Sequence, residues 1–246
     1  MRIILLFLTI ALYSSLGAQI VFEEVTPVPG TFIRHIDESS TSLQSLLTSE
    51  ALFGKTVTGS SWIERDQEVT DIYDVMYSPD GDLYTKNDSF ILYSQNNGET
   101  FTVIDWPSGT FPPYDGTNLY VLDDDVLFIN DFLGYCYYSI NNGQSWQLGG
   151  QLFLSIETVA RMVDDFIYLA DPSSIGAGII ARINVSTGQL EIIDILRLAI
   201  PYDPIYCQII EDGTVYMLGI DPSGPQSENH LLQYKFGQEV ESLGAY

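Results

Sequence analysis

One nine-residue stretch occurs twice in this chain, and the interval between its copies limits the folds open to it. Tyr93-Ser94-Gln95-Asn96-Asn97-Gly98-Glu99-Thr100-Phe101 is matched by Tyr138-Ser139-Ile140-Asn141-Asn142-Gly143-Gln144-Ser145-Trp146. The shared pattern is aromatic, Ser, any, Asn, Asn, Gly, any, hydroxyl, aromatic. A weaker copy, Asn184-Val185-Ser186-Thr187-Gly188-Gln189-Leu190, keeps the interval, so Gly98, Gly143 and Gly188 stand 45 residues apart. Asn-Asn-Gly supplies residues that tolerate positive φ, as a tight turn between strands requires. The Ser and Asn side chains can hydrogen-bond the local backbone and fix the turn. Self-similarity at this period points to a propeller or another repeat array.

From Asp71 onward each unit follows one plan. An apolar strand makes an acidic turn (Asp80-Gly81, Asp124-Asp125, Asp164-Asp165, Asp212-Gly213) into a second apolar strand. Those second strands are Leu83-Tyr84, Val126-Leu127-Phe128, Phe166-Ile167-Tyr168 and Val215-Tyr216-Met217. A connection, a third strand, the repeated turn and a fourth strand follow. The third strands are Phe90 to Tyr93, Tyr135 to Tyr138, Ile179 to Ile183 and Leu231 to Tyr234. The last unit has only Phe236-Gly237-Gln238 where the turn belongs. Short, evenly spaced strands separated by turn signals predict an all-β chain, a β-propeller of four-stranded blades. Four blades are countable over 71–246, and a fifth if the N-terminal region counts; the ring is either small or incomplete.

Residues 19–70 are less regular and read as a lead-in or a degenerate first blade. Leu43, Leu46 and Leu47 have the i, i+3, i+4 spacing of a short helix, with Ser42 as its cap. An irregular loop with three leucines tucked beneath it fits equally. Trp62-Ile63 reads as a strand leading into the repeats.

The repeated turn resembles the Asp-box (BNR) repeat, Ser-x-Asp-x-Gly-x-Thr-Trp. Ser94, Asn96, Gly98, Thr100 and Phe101 align with it in the first copy, and Ser139, Asn141, Gly143, Ser145 and Trp146 in the second. Both copies carry Asn for Asp, which keeps the acceptor oxygen. Phe replaces Trp in the first, and Ser replaces Thr in the second. The resemblance implies a sialidase-like propeller with each box at the turn between the third and fourth strands of a blade. Such boxes occur in sialidases, other glycoside hydrolases, sorting receptors and non-catalytic secreted proteins, so the resemblance speaks to fold far more narrowly than to activity.

Residues 1–18 read as a secretory signal peptide: Arg2, a short apolar run from Ile3 to Leu12, and small residues before a cut after Gly17 or Ala18. The run is shorter than the roughly 20 apolar residues of a membrane span, and no later stretch is long enough. A secreted or extracellular location is therefore expected. The net charge is -24, with 33 acidic residues against nine Lys and Arg. Nucleic acid and anionic membrane surfaces make poor partners for such a chain. Cys136 and Cys207 fall on a third strand and on a first strand two blades later, so they read as small buried hydrophobes rather than a pair.

No cofactor or metal is expected. His35 and His230 are the only histidines and lack ligand spacing. Asp123-Asp124-Asp125 lacks the alternation of a calcium loop. Neither a phosphate-binding glycine loop nor a nucleophile elbow occurs. Asn87-Asp88-Ser89 and Asn184-Val185-Ser186 fit glycosylation acceptors.

In a propeller the loops joining second to third strands, and those joining blade to blade, share one face, opposite the box turns. Function usually sits on loops held by a rigid scaffold, and this face has the longer loops. Trp106, Phe111, Tyr114 and Tyr202 lie there and offer flat faces to a sugar or a peptide, with Asp171 and Asp203 beside them as candidate ligand-binding acids. The alternative is that these aromatics cover the ends of the core. Asp115 shares the face. A sialidase-like activity would imply three converging arginines, a Tyr–Glu pair and an acid, but no spacing selects a triad from Arg34, Arg65, Arg161, Arg182 and Arg197. The reading that results is a secreted binding or scaffold module for a glycan or an extracellular protein. A glycoside hydrolase of the same fold is the alternative.

Overall fold

The computed structural model describes residues 33–38, 43–48, 52–56, 63–65, 72, 74–87, 89–109, 117–123, 125–155, 158–172, 179–195, 203–220, 229–235 and 241–245. These residues form twenty strands in five four-stranded sheets, with no helix among them. Blade one is β1 (Ile33–Glu38), β2 (Leu43–Thr48), β3 (Leu52–Thr56) and β4 (Ile63–Glu64). Blade two is β5 (Asp74–Tyr77), β6 (Leu83–Lys86), β7 (Phe90–Ser94) and β8 (Thr102–Asp105). Blade three is β9 (Asn118–Asp123), β10 (Val126–Asn130), β11 (Tyr135–Ser139) and β12 (Gln147–Gln151). Blade four is β13 (Val159–Val163), β14 (Phe166–Asp171), β15 (Ile179–Asn184) and β16 (Leu190–Ile195). Blade five is β17 (Asp203–Ile209), β18 (Val215–Ile220), β19 (Asn229–Tyr234) and β20 (Glu241–Ala245). Within each sheet every strand pairs antiparallel with its sequence neighbours.

The first strands lie side by side from blade to blade: β1 against β5, β5 against β9, β9 against β13, and β13 against β17. The side chains explain this stacking. In β10, Leu127 and Ile129 pack into a core shared with Tyr84, Ile91 and Ile104 of blade two. Phe128 points the other way, into a core with Ile167, Leu169, Ala181 and Ile183 of blade four. Each interior blade thus buries both faces, which is why its second strand reads as a continuous apolar run rather than an alternation. Similar cores join blade one to blade two, through Leu47, Leu52, Val75 and Leu83, and blade four to blade five, through Tyr168, Ile180, Met217 and Leu232.

Residues 43–48 form neither of the two structures expected of them, because they form strand β2. Ser45 and Leu47 are both buried, and the Ser45 and Tyr77 hydroxyls lie 2.5 Å apart across the seam between blades one and two. The inward position before Leu47 is a serine satisfied by another blade, so the apolar alternation of the strand is hidden. Cys136 on β11 and Cys207 on β17 are buried, and neither is in a disulfide. Burial pushes the Cys136 thiol up to about 12. The signal segment and Phe236-Gly237-Gln238 lie outside the described residues. Among those described, no helix is long and apolar enough to cross a membrane.

Candidate functional site

The repeated turns join β7 to β8 and β11 to β12, and their hydrogen bonds match bond for bond. The Ser94 hydroxyl donates to Asn96 Oδ1 at 2.8 Å and accepts from Gly98 N at 2.8 Å. Asn96 Oδ1 also accepts from Thr100 N at 2.9 Å, and Asn96 Nδ2 donates to Thr100 Oγ1. Ser139, Asn141, Gly143 and Ser145 repeat the set at 2.9, 2.8, 3.0 and 2.8 Å respectively. Asn97 and Asn142 take φ of 55° and 54°. The turn at Asn184 is a different structure, in which Asn184 Oδ1 accepts from Ser186 N and Thr187 N.

Each repeated turn also grips a neighbouring blade. The Tyr84 hydroxyl of blade two donates to Asn142 Oδ1 at 2.9 Å, and Trp146 Nε1 donates to the Asp105 carbonyl at 3.1 Å. Arg65, which follows β4, lies 3.8 Å from Glu99 in the repeated turn of blade two. The polar groups of these turns are thus spent within the turn itself and on the neighbouring blade.

On the opposite face, polar side chains at the ends of the second strands pin loops. Asn87 Oδ1 accepts from Ser89 N and Phe90 N at 2.8 and 2.9 Å. Lys86 Nζ donates to the Thr117 carbonyl at 2.6 Å and lies 3.9 Å from Asp74. Asn130 Nδ2 donates to the Leu152 carbonyl at 3.1 Å. Asp171, 1% exposed, uses both carboxylate oxygens on Ser155, accepting from its backbone N at 2.5 Å and its hydroxyl at 2.9 Å. Burial, reinforced by the Asp171 charge, pushes the nearby Tyr120 phenol above its usual value.

Of the ligand-binding candidates, Trp106 follows β8 and packs against the core between blades two and three. Its Nε1 is buried with no hydrogen-bond partner. Asp171 sits where the loop anchoring above places it. Asp203 opens β17 opposite Ile220. Phe111, Tyr114, Tyr202 and Asp115 lie outside the described residues. Asn87, in the first glycosylation acceptor sequence, is buried, with its amide oxygen committed to the turn.

Sequence reasoning missed an aromatic corner on blade three. Phe132 and Phe153 are 66% and 59% exposed. Phe132 lies in the turn Asp131 to Gly134, closed by Gly134 N on the Asp131 carbonyl at 2.8 Å. Phe153 borders the same turn, because a side chain at Gly134 would touch its ring. Gln151 Nε2 ties the two segments together on the Leu133 carbonyl at 3.0 Å. Tyr135 and Tyr137 follow, half-buried, with ring centroids 6.4 Å apart. Asp131 is 2% exposed; its Oδ1 accepts from Leu133 N and Tyr135 N at 2.9 and 2.8 Å, while Oδ2 is buried without a partner. One signal was available in the sequence. Asp and Gly serve a tight turn, but the intervening Phe132 has no role in making one.

The arginines with described side chains sit apart, each among its own partners. Arg182 makes a close ion pair with Glu191 at 2.7 Å and covers the Phe166 ring at 4.1 Å. Arg161 Nη1 donates to the Ile209 carbonyl, and Arg65 lies against Glu99 and over Gly54. Among the described residues no three His, Cys, Asp or Glu side chains gather at metal-binding distance.

The sequence matches no protein-family model and no curated protein. Solved structures do resemble the fold. The GH74 xyloglucanase of Xanthomonas campestris aligns with 87% of this chain and 38% of its own, at TM-score 0.55 and 14% identity. YCF48 of Cyanidioschyzon merolae aligns with 89% of this chain and 72% of its own, at TM-score 0.55 and 12% identity; YCF48 has also been solved bound to a D1 peptide. The extracellular domain of BT4673 from B. thetaiotaomicron aligns with 89% of this chain and 32% of its own, at TM-score 0.50 and 13% identity. This chain therefore spans little over a third of the xyloglucanase. At these identities the likeness establishes the β-propeller fold and nothing finer.

Proposed function

We propose that this chain is an exported propeller that binds an extracellular peptide or glycan on the face carrying the second-to-third-strand and blade-to-blade loops. The observation that carries the reading is that Phe132 and Phe153 are both exposed on adjoining segments of one corner whose backbone is fixed by hydrogen bonds. Exposed phenylalanines on a rigid turn lose hydration and little conformational entropy when a partner covers them, the usual character of a binding anchor. The acids of this face with described partners, Asp74, Asp131 and Asp171, are each engaged in holding structure. The arginines with described side chains are each held by partners of their own, Arg65 by Glu99, Arg161 by the Ile209 carbonyl and Arg182 by Glu191. These arrangements favour binding over a catalytic cluster. The matching bonds of the two repeated turns support placing them in the Asp-box class, and segment 1–18 supports export.

The test is capture on arrays of peptides and glycans, with product analysis of every glycan retained. The expected result is retention without cleavage, weakened about tenfold or more by Phe132→Ala with Phe153→Ala. Release of shortened saccharide, undiminished by that double change, would replace this reading with glycoside hydrolysis.

A further inference from the structure

We propose that blade five sets the sheet face it turns away from blade four against the same face of a second copy, so that the chain pairs about a two-fold axis. This surface is separate from the Phe132 corner, and the pairing needs no ligand.

Strand register fixes what the face carries. Cys207 and Ile209 of β17 and Val215 and Met217 of β18 pack against blade four. Alternation therefore turns Tyr206, Gln208, Tyr216 and Leu218 to the other side. Cross-strand pairing lays the face out in two rows, Tyr206–Leu218–Leu231 and Gln208–Tyr216–Gln233. All six positions lie within their strands.

The preceding blades carry the same rows. Tyr84, Phe128 and Tyr168 hold the place of Tyr216 in blades two, three and four, and Ile91, Cys136 and Ile180 hold the place of Leu231. Each of these is buried by the blade that follows. Tyr216, Leu218 and Leu231 are only half-buried, and Tyr206 is 59% exposed. Blade five is thus built as an interior blade is, without the polar outer face that suits a terminal repeat to water. Stacking another sheet there continues the series of blade-to-blade contacts.

The chemistry of the face selects a second copy as that sheet. A two-fold interface sets one surface against itself, so the surface must be self-complementary. The two rows are uncharged in a chain with 33 acidic residues, and Glu241 stands at their margin, paired with Gln233. Glutamine amides and tyrosine hydroxyls both donate and accept, so the polar groups of one copy can satisfy those of the other. The matching row of blade four has Arg161 and Arg182 beside Tyr168; these only donate, and would repel their own copies. A head-to-tail stack would instead use the face of blade one turned away from blade two. Leu52 packs toward blade two, which points Phe53 to that other face, and Phe53 is already buried.

A face three strands wide is at the small end of specific interfaces, so pairing is expected in the micromolar range. The full mature chain is sedimented over a micromolar concentration series. The mass is expected to rise to twice that of one chain and stop there. Tyr206→Glu and, separately, Gln208→Glu each set like charges against one another and are expected to weaken pairing about tenfold or more. Both positions are exposed, so the fold should survive, and circular dichroism checks that it does. A chain that stays single throughout would overturn the proposal. So would a mass that climbs past two copies, the signature of head-to-tail stacking, or a dimer that both variants leave intact. None of these outcomes touches capture of a ligand by Phe132 and Phe153.

Discussion

Asn97 and Asn142 each precede a glycine, the sequence in which asparagine deamidates most readily. That reaction needs the glycine nitrogen to attack the Asn side-chain carbon. Ammonia leaves, and water then opens the ring to Asp or isoAsp. Here the attacking nitrogens are engaged elsewhere: Gly98 N and Gly143 N donate to the Ser94 and Ser139 hydroxyls at 2.8 Å. The asparagine amides are held as well, by Tyr77 on Asn97 Oδ1 at 2.7 Å and Tyr84 on Asn142 Oδ1 at 2.9 Å. Ser94→Ala and Ser139→Ala should each speed deamidation at the adjoining Asn-Gly about fivefold, the effect of roughly 1 kcal/mol of lost restraint. Mass spectrometry of aged protein reads this directly, and an unchanged rate would show that the serines do not restrain the turn. Positive φ at Asn-Asn-Gly was legible in the sequence. The tyrosine bonds to the second Asn were not, since Tyr84 lies 58 residues from Asn142 and only the stacking of blades brings them together.

Among the structural elements, the two repeated turns and the different turn at Asn184 vary in how closely each meets the preceding blade. Gly98, Gly143 and Gly188 all have positive φ, from 71° to 80°. A methyl at Gly143 would overlap Ile104 on β8, whereas one at Gly98 would press on the flexible Arg65 stem and Leu83. At Gly188 the nearest atom would be the Tyr138 hydroxyl at 3.5 Å, an ordinary contact. All three alanine variants carry the backbone penalty of about 1–2 kcal/mol. Gly143→Ala adds overpacking of about 1–3 kcal/mol, so urea melts should rank it the most destabilising and Gly188→Ala the least. Equal losses would mean that backbone strain alone sets the cost. Strands β5 to β19 were legible because their apolar runs and turn residues agree. Strand β2 was not, because inward Ser45 breaks its pattern and its partner, Tyr77, lies in another blade.

Across the whole molecule, two faces have different work. One holds the repeated turns, with their polar groups spent within the turn and on neighbouring blades. The other holds the loops and carries the exposed Phe132 and Phe153. The division between faces follows from blade topology and could be read from the repeat. The particular residues could not. Asp131 and Asp171 look alike in sequence, each an acid just after or at the end of a second strand. Asp171 has both oxygens bonded to Ser155, while Asp131 leaves one unpaired. That difference depends on the path of the connection between blades three and four, which no local pattern encodes. The most direct test of the binding-face assignment is hydrogen exchange of the full chain with and without its captured ligand. Protection concentrated in residues 131–137 and 151–155 is the predicted result. Protection in the repeated turns, at 95–100 and 140–145, with the loop face unchanged, would contradict it.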